Sequence, residues 1–167
     1  MVFQYIFPFL PIQTLFALRQ VSHVWHQVVR YYFSYTRCLD ISHISIKLTA
    51  KAFDILTEEN TNLVYINFAN AKNVLTDKLL MPVFKNNPRL QSVDLTNCIS
   101  LSNSSVQVLV SQCTDLRNLT LRDCVWLSPE GVSVIGLHCQ ELQTIDLSGC
   151  WNVNDEALIV LVKGCPK

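Results

Sequence analysis

The sequence has no net charge and few of the residues that chemistry in a cleft requires. Its 167 residues include 13 basic and 13 acidic side chains, so no basic excess favours binding to nucleic acid or to an anionic membrane. The four glycines form no phosphate-binding loop, and the four histidines have no carboxylate or nucleophile at a catalytic spacing. We therefore expect a chain that is not an enzyme and takes no cofactor.

The seven cysteines include no C-x-x-C pair, so no metal site is predicted. Because their number is odd and their distribution even, free and buried thiols in a reducing, cytoplasmic compartment are favoured over disulfides. A secreted protein with disulfides is the alternative. The first eighteen residues carry no charge, but they are too short and too interrupted by proline to span a bilayer.

Leucine and cysteine recur every 26 residues in the second half of the chain. The three series are Leu90, Leu116 and Leu142; Cys98, Cys124 and Cys150; and Cys113, Cys139 and Cys165. The units read L-x-x-L-x-L-x-x-C-x-x-L, which is the pattern of a leucine-rich repeat with cysteine at its variable position. The alternating L-x-L segment predicts a short strand in each unit.

A helix is predicted after each strand, because apolar residues follow at helical spacing. The predicted inner faces are Val106, Leu109, Val110 and Cys113; Val132, Ile135 and Cys139; and Leu158, Leu161 and Cys165. Thr76, Ser128 and Asn154 are predicted to cap the starts of three helices. Repetition of this strand–helix unit predicts an α/β horseshoe solenoid with parallel strands on the concave face and helices on the convex face.

Two domains are predicted: a small helical module at 1–35 and a solenoid at 36–167. The solenoid divides into about five units, 36–62, 63–89, 90–115, 116–141 and 142–167, of which the first two are degenerate. The chain stops where another leucine would open a further unit, so we expect a truncation at the C-terminus.

The helical module carries a second pattern, IFPFLPIQTLFALRQVSHVWHQV over 6–28. It resembles an F-box, whose pattern is an apolar helix, an L-P-like turn, a leucine-rich helix and V-S-x-x-W. The repeats are similar to the cysteine-containing leucine-rich repeats that follow F-boxes. The opening Leu-Pro and acidic residues of the F-box pattern are missing before Met1, so the module is expected to be incomplete at its N-terminus.

This resemblance implies a substrate-recognition subunit of an SCF-type ubiquitin ligase. Such a subunit docks on a Skp-family adaptor, which a cullin ligase carries, and holds a protein substrate for ubiquitination and proteasomal degradation. The implied location is cytoplasmic, with the nucleus as a further site. The implied adaptor-binding residues are Ile6, Leu10, Leu15, Leu18, Val21 and Trp25. Packing of Trp25 onto the first repeat is an equal alternative, and a non-catalytic interaction scaffold with a capping module is the alternative function.

Candidate substrate-binding residues lie on the outward positions of the strands and in the loops after them. They are Asn67, Asp94, Thr120 and Asp146 in one column, Arg122 in the next column, and Trp126 and Trp151 past their cysteines. Carboxylates without a basic neighbour favour a basic peptide, and exposed tryptophans are frequent at interfaces. A solvated polar face, and tryptophans that merely fill the loops, are the alternatives.

Overall fold

The computed structural model describes residues 6–44 and 48–167. A 3-10 helix at Phe7–Phe9 opens the described chain, and residues 1–5 of the predicted module lie outside it. The α-helices are α1 Ile12–Leu18, α2 His23–Tyr35, α3 Ala50–Thr57, α4 Asp77–Asn86, α5 Asn103–Gln112, α6 Pro129–His138 and α7 Asp155–Gly164. The strands are β1 Cys38–Asp40, β2 Tyr65–Asn67, β3 Ser92–Asp94, β4 Asn118–Thr120 and β5 Thr144–Asp146.

The five strands form one parallel sheet in chain order, with one helix between each strand and the next. The central residues of the strands stand beside one another in register and point toward the helices: Leu39, Ile66, Val93, Leu119 and Ile145. The predicted α/β leucine-rich-repeat solenoid is therefore confirmed. In the described ranges no helix combines the length and the apolar character needed to cross a bilayer.

After each of the strands β2 to β5, the chain leaves the sheet through a residue with a left-handed backbone. The φ angles are 63° at Asn70, 57° at Asn97, 58° at Asp123 and 76° at Gly149. Glycine, asparagine and aspartate adopt this conformation at the lowest cost. These four residues recur with the period of the repeat, and they turn the chain so that the next residue faces inward.

The cysteine after each turn is tied to the preceding unit. The thiol Sγ atoms of Cys98, Cys124 and Cys150 lie 3.3, 3.3 and 3.0 Å from backbone carbonyls at the end of the previous strand. All seven cysteines are unpaired, and five of them are buried. The prediction of buried thiols is wrong for Cys38, which is exposed on the edge strand, and for Cys165, which is only half-buried.

The helix starts follow the prediction in position but not always in bonding. Asn154 caps α7 by accepting a hydrogen bond from the backbone N–H of Ala157 at 3.0 Å. Ser128 occupies the cap position of α6, but its hydroxyl bonds to Glu130 and accepts a hydrogen bond from Asn103 of the preceding unit. The cap of that helix is therefore shared between units.

One predicted inward residue of the last helix faces solvent. Leu158 is 38% exposed, and the neighbouring Ala157 is buried against α6 instead. The prediction failed at Leu158 because the equivalent residue of an inner unit is covered by the helix of the next unit, and no helix follows α7 in the described chain.

The helical module packs directly against the first repeat. Val29 and Phe33 of α2 are buried in the common core. The side-chain amide of the buried Asn60 donates hydrogen bonds to the backbone carbonyls of Phe33 and Thr36, at 2.5 and 2.9 Å. These bonds tie the C-terminal end of α2 to the first repeat. The module and the repeats therefore share one hydrophobic core.

Candidate interaction surfaces

The helical module exposes several large apolar side chains. Of the predicted adaptor-binding residues, Ile6 and Val21 are exposed, Val21 by 67%. Leu10 and Leu18 are half-buried. Leu15 is only 2% exposed and belongs to the core of the module. The prediction of Leu15 as a contact residue is therefore corrected, because its side chain is already covered within the chain.

Trp25 packs within the helical module, and its adaptor contact stays a prediction. Its ring stacks on Phe7 with centroids 6.3 Å apart and planes inclined by 23°, while the rest of the side chain is half-buried at the surface. Two exposed apolar residues of this surface, Phe9 and Val24, were not predicted as contacts. Val24 lies in the first turn of α2, and Val21 lies directly before its cap residue Ser22.

The outward face of the sheet brings the predicted column of polar residues together. Asn67, Asp94, Thr120 and Asp146 stand side by side in register, and Asp40 of β1 extends the column. Two of the carboxylates also form hydrogen bonds within their own turns. Asp94 and Asp146 each accept a hydrogen bond from the backbone N–H two residues later, at 2.8 Å in both cases.

These local bonds leave the charge in place. Hydrogen bonds from Ser148 lower the pKa of Asp146, and the positive charge of the exposed Arg122 adds to this effect. A carboxylate with a lowered pKa stays ionised at neutral pH. The column therefore alternates the carboxylates of Asp40, Asp94 and Asp146 with the neutral side chains of Asn67 and Thr120.

A second outward column was missed by the sequence interpretation. It consists of Cys38, Tyr65, Ser92, Asn118 and Thr144, one for each strand. The signal was present, because residues two apart in a strand lie on the same face. This column places a tyrosine ring beside the carboxylate column.

The two predicted tryptophans have different roles. Trp126 is half-buried, and its indole N–H donates a hydrogen bond to the carbonyl of Cys98 at 2.8 Å, so it ties adjacent units together. Trp151 is 86% exposed. They do not occupy equivalent positions of the repeat, since Trp151 follows its cysteine by one residue and Trp126 by two.

Ile99 and Val125 occupy the position of Trp151 in the two preceding units, and both are exposed. The loops that carry them are joined by backbone hydrogen bonds, from Asn97 N–H to the Arg122 carbonyl and from Asp123 N–H to the Ser148 carbonyl, at 2.8 and 2.7 Å. We call Ile99, Val125 and Trp151 the apolar rim. The 26-residue period of these residues is the signal that would have identified it.

In the described part of the chain, no three His, Cys, Asp or Glu side chains come together as metal ligands. What the arrangement offers is two separate contact areas: the exposed apolar residues of the helical module, and the sheet face with the apolar rim.

Comparison with known proteins finds relatives that carry both modules in their name. No family model matches the chain. F-box/LRR-repeat protein 15 of mouse (Mus musculus) and of rat (Rattus norvegicus) are each 27% identical to it over 103 residues. The match covers 62% of this chain and 34% of each relative, so the chain spans about a third of the length of the curated relatives it matches.

Solved structures share the fold at lower identity. A chain of the yeast Rad7–Elc1 complex superposes with a TM-score of 0.61 at 16% identity, over 89% of this chain and 39% of that chain. The C-terminal domain of tropomodulin from Caenorhabditis elegans superposes with a TM-score of 0.63 at 9% identity, over 94% and 92% respectively. The chain is thus similar in sequence to F-box/LRR-repeat protein 15, as its motifs predicted, and has the fold of a repeat solenoid.

Proposed function

We propose that this chain is a non-catalytic substrate-recognition subunit of an SCF-type ubiquitin ligase, active in the cytoplasm. The helical module binds a Skp-family adaptor, and the sheet face with the apolar rim binds a protein substrate, which leads to its ubiquitination and proteasomal degradation. Its contribution to the reaction is proximity, because it raises the local concentration of the substrate lysine near the charged enzyme.

The observation that carries this proposal is the exposed apolar surface of the helical module. Ile6, Phe9, Val21 and Val24 are all exposed although the module already shares a core with the repeats. Exposed apolar patches on a folded domain mark interaction sites. The F-box-like sequence around these residues, and the name of the relatives, indicate an adaptor of the Skp family as the partner.

Co-purification with a Skp-family adaptor tests the docking step. The variant Val21→Asp/Val24→Asp places two charges on the exposed apolar surface and leaves the core intact, whereas Leu15→Asp would unfold the module. We expect the unmodified chain to retain the adaptor and the double variant to lose it. Val162→Asp, an equally exposed position on α7, is the matched control and should retain binding. Absence of adaptor binding by the unmodified chain, or equal binding by the double variant, contradicts the proposal.

The substrate surface is tested separately from adaptor docking. Proteins whose ubiquitination rises when the unmodified chain is expressed are compared with those that respond to Val125→Asp/Trp151→Ala. We expect the rim variant to bind the adaptor normally and to lose the ubiquitination of its substrates. If the same proteins are modified to the same extent, the apolar rim is not the substrate surface.

A capping role for the helical module is the second candidate function. The hydrogen bonds from Asn60 to the end of α2, and the burial of Val29 and Phe33, favour it. A chain lacking residues 1–35 should then expose the apolar side of the first repeat and aggregate. A soluble, monomeric product of that deletion would show that capping is not the role of the module.

A further inference from the structure

A cleft of about 410 Å³ lies where the end of α1, the start of α2 and the first turn of α3 meet. Its polar lining consists of Arg19, Gln20, His26, Thr49 and Lys51, while Phe16 and two residues of α3 form the apolar part. Two permanent cations therefore face a cleft that has no carboxylate in its lining. Neither the adaptor-binding surface nor the substrate surface uses these residues.

Arg19 holds a donor that the fold leaves unused. Its Nε atom is buried and has no hydrogen-bond partner, and no other buried side-chain nitrogen or oxygen of residues 6–44 and 48–167 is in this state. The Nη2 atom of the same guanidinium lies 3.4 Å from His26 Nε2, which is a long and weak contact. Because Nε is closed to solvent, a ligand in the cleft would meet the Nη groups of this guanidinium and not its Nε atom.

The surroundings of the cleft are electrostatically positive. Partial burial and the positive charges of Arg19, His23 and Arg30 lower the pKa of His26. The nearest carboxylates lie on the other side of Arg19, around a smaller pocket of about 30 Å³ that Glu58 and Glu59 line. Glu59 is already paired with Arg30. The lining of the cleft itself therefore holds two cations and no carboxylate.

We propose that this cleft binds a phosphate monoester group. A guanidinium and an ammonium group are donors that recognise phosphate oxygens in proteins, and Arg19 and Lys51 bring one of each to the cleft. Two cations balance the charge of about −1.5 to −2 that a phosphate monoester carries at neutral pH. The amide of Gln20 and the hydroxyl of Thr49 add neutral donors at the same cleft. The site joins the helical module to the first repeat, so its occupation stabilises their junction.

The experiment is a titration of the chain with inorganic phosphate, at constant pH and ionic strength, followed by the NMR signals of the Arg19 Nε–H and the His26 ring. A parallel titration uses a short phosphoserine peptide and its unphosphorylated counterpart. We expect saturable shifts at Arg19 and His26, with the exposed His23 ring as the internal reference, and no saturation with the unphosphorylated peptide. Binding of the phosphopeptide about tenfold tighter than phosphate assigns the ligand to a phosphorylated protein side chain, while equal affinity assigns it to a free phosphate monoester.

Variants decide whether the cleft is the site. Arg19→Gln and Lys51→Glu should each weaken binding by about tenfold or more, and Lys72→Glu, an exposed lysine outside the cleft, should leave it unchanged. Lys51 is exposed, so Lys51→Glu keeps the fold even if Arg19→Gln does not, and the thermal midpoint of each variant checks this. A titration without saturation, or equal binding by Lys51→Glu and the unmodified chain, overturns the proposal.

Discussion

Replacement of Asn87 by alanine should destabilise the solenoid more than any nearby surface change. Asn87 is completely buried where α4 ends, although it is polar. Its side-chain amide donates to the carbonyls of Asn60 and Val83, both at 2.9 Å, and its carbonyl accepts from the N–H of Leu63 at 2.8 Å. The side chain therefore links the end of α4 to Asn60 of the preceding unit and to Leu63 at the start of its own unit.

The expected magnitude follows from the groups that Asn87→Ala would strand. Three buried backbone groups lose their partner, and each buried unsatisfied group costs about 1–3 kcal/mol. Partial relaxation and entry of water reduce the sum, so we expect a loss of about 3 kcal/mol in the free energy of unfolding. Asn87→Cys should lose about half as much, because Cys113 occupies the same position in the next unit and its thiol approaches the Asn87 carbonyl at 3.5 Å.

Urea unfolding followed by circular dichroism measures these differences, with the m-value as a check that the cooperative unit is unchanged. Asn86→Ala is the matched control, since Asn86 is the adjacent residue of the same type and is exposed. It should change the free energy of unfolding by less than about 0.5 kcal/mol. If Asn87→Ala and Asn86→Ala agree within that margin, the buried hydrogen bonds are not what holds these units together.

Three further predictions concern the thiols, the helix contacts and one carboxylate. In the native chain at pH 8, only Cys38 should react rapidly with iodoacetamide, and mass spectrometry counts the modified thiols. The reason is that burial raises the pKa of Cys98, Cys113, Cys124 and Cys139 to about 12. Gly136→Ala should lower the free energy of unfolding in urea by about 1–3 kcal/mol, because the new Cβ would lie 2.7 Å from the Leu161 Cα. The control Leu137→Ala, at an exposed position, should lower it by less than about 0.5 kcal/mol. Burial opposes ionisation of Asp77, but hydrogen bonds from two serines outweigh this effect and lower the pKa of its carboxyl group. Asp77→Asn should therefore lower the free energy of unfolding at pH 7. The difference in free energy from the unmodified chain should shrink below about pH 4, where the carboxyl group becomes protonated.

The fold was predictable because its period is written in large apolar residues. Leu90, Leu116 and Leu142 are all buried, and the strand and helix of each unit follow from spacing alone. The residues that follow the helices at the repeat period could be only partly predicted from the sequence. Asn60 and Asn87 occupy the positions of Cys113 and Cys139, but an asparagine and a cysteine share no obvious signal until their hydrogen bonds to the neighbouring unit are seen.

The interaction surfaces were less predictable than the fold. Leu15 and Val21 look alike in an apolar stretch, yet only one of them is exposed, and the difference depends on how α1 and α2 pack together. Trp126 and Trp151 were treated as one kind of residue, whereas a hydrogen bond across units holds only the first. Ile99 and Val125 could have been found, because they precede Trp151 at the repeat period.

The architecture keeps the two proposed contact areas energetically separate. Each unit is bonded to its immediate neighbours, as the successive strand pairs show, and stability in such a stack is a sum of local and nearest-neighbour terms. Val21 and Trp151 lie at opposite ends of that stack, with four complete units between them. Substitutions at such distant sites are additive. A loss of adaptor binding at one end and a loss of substrate at the other can therefore be assigned independently, which is the property that a receptor joining two proteins requires.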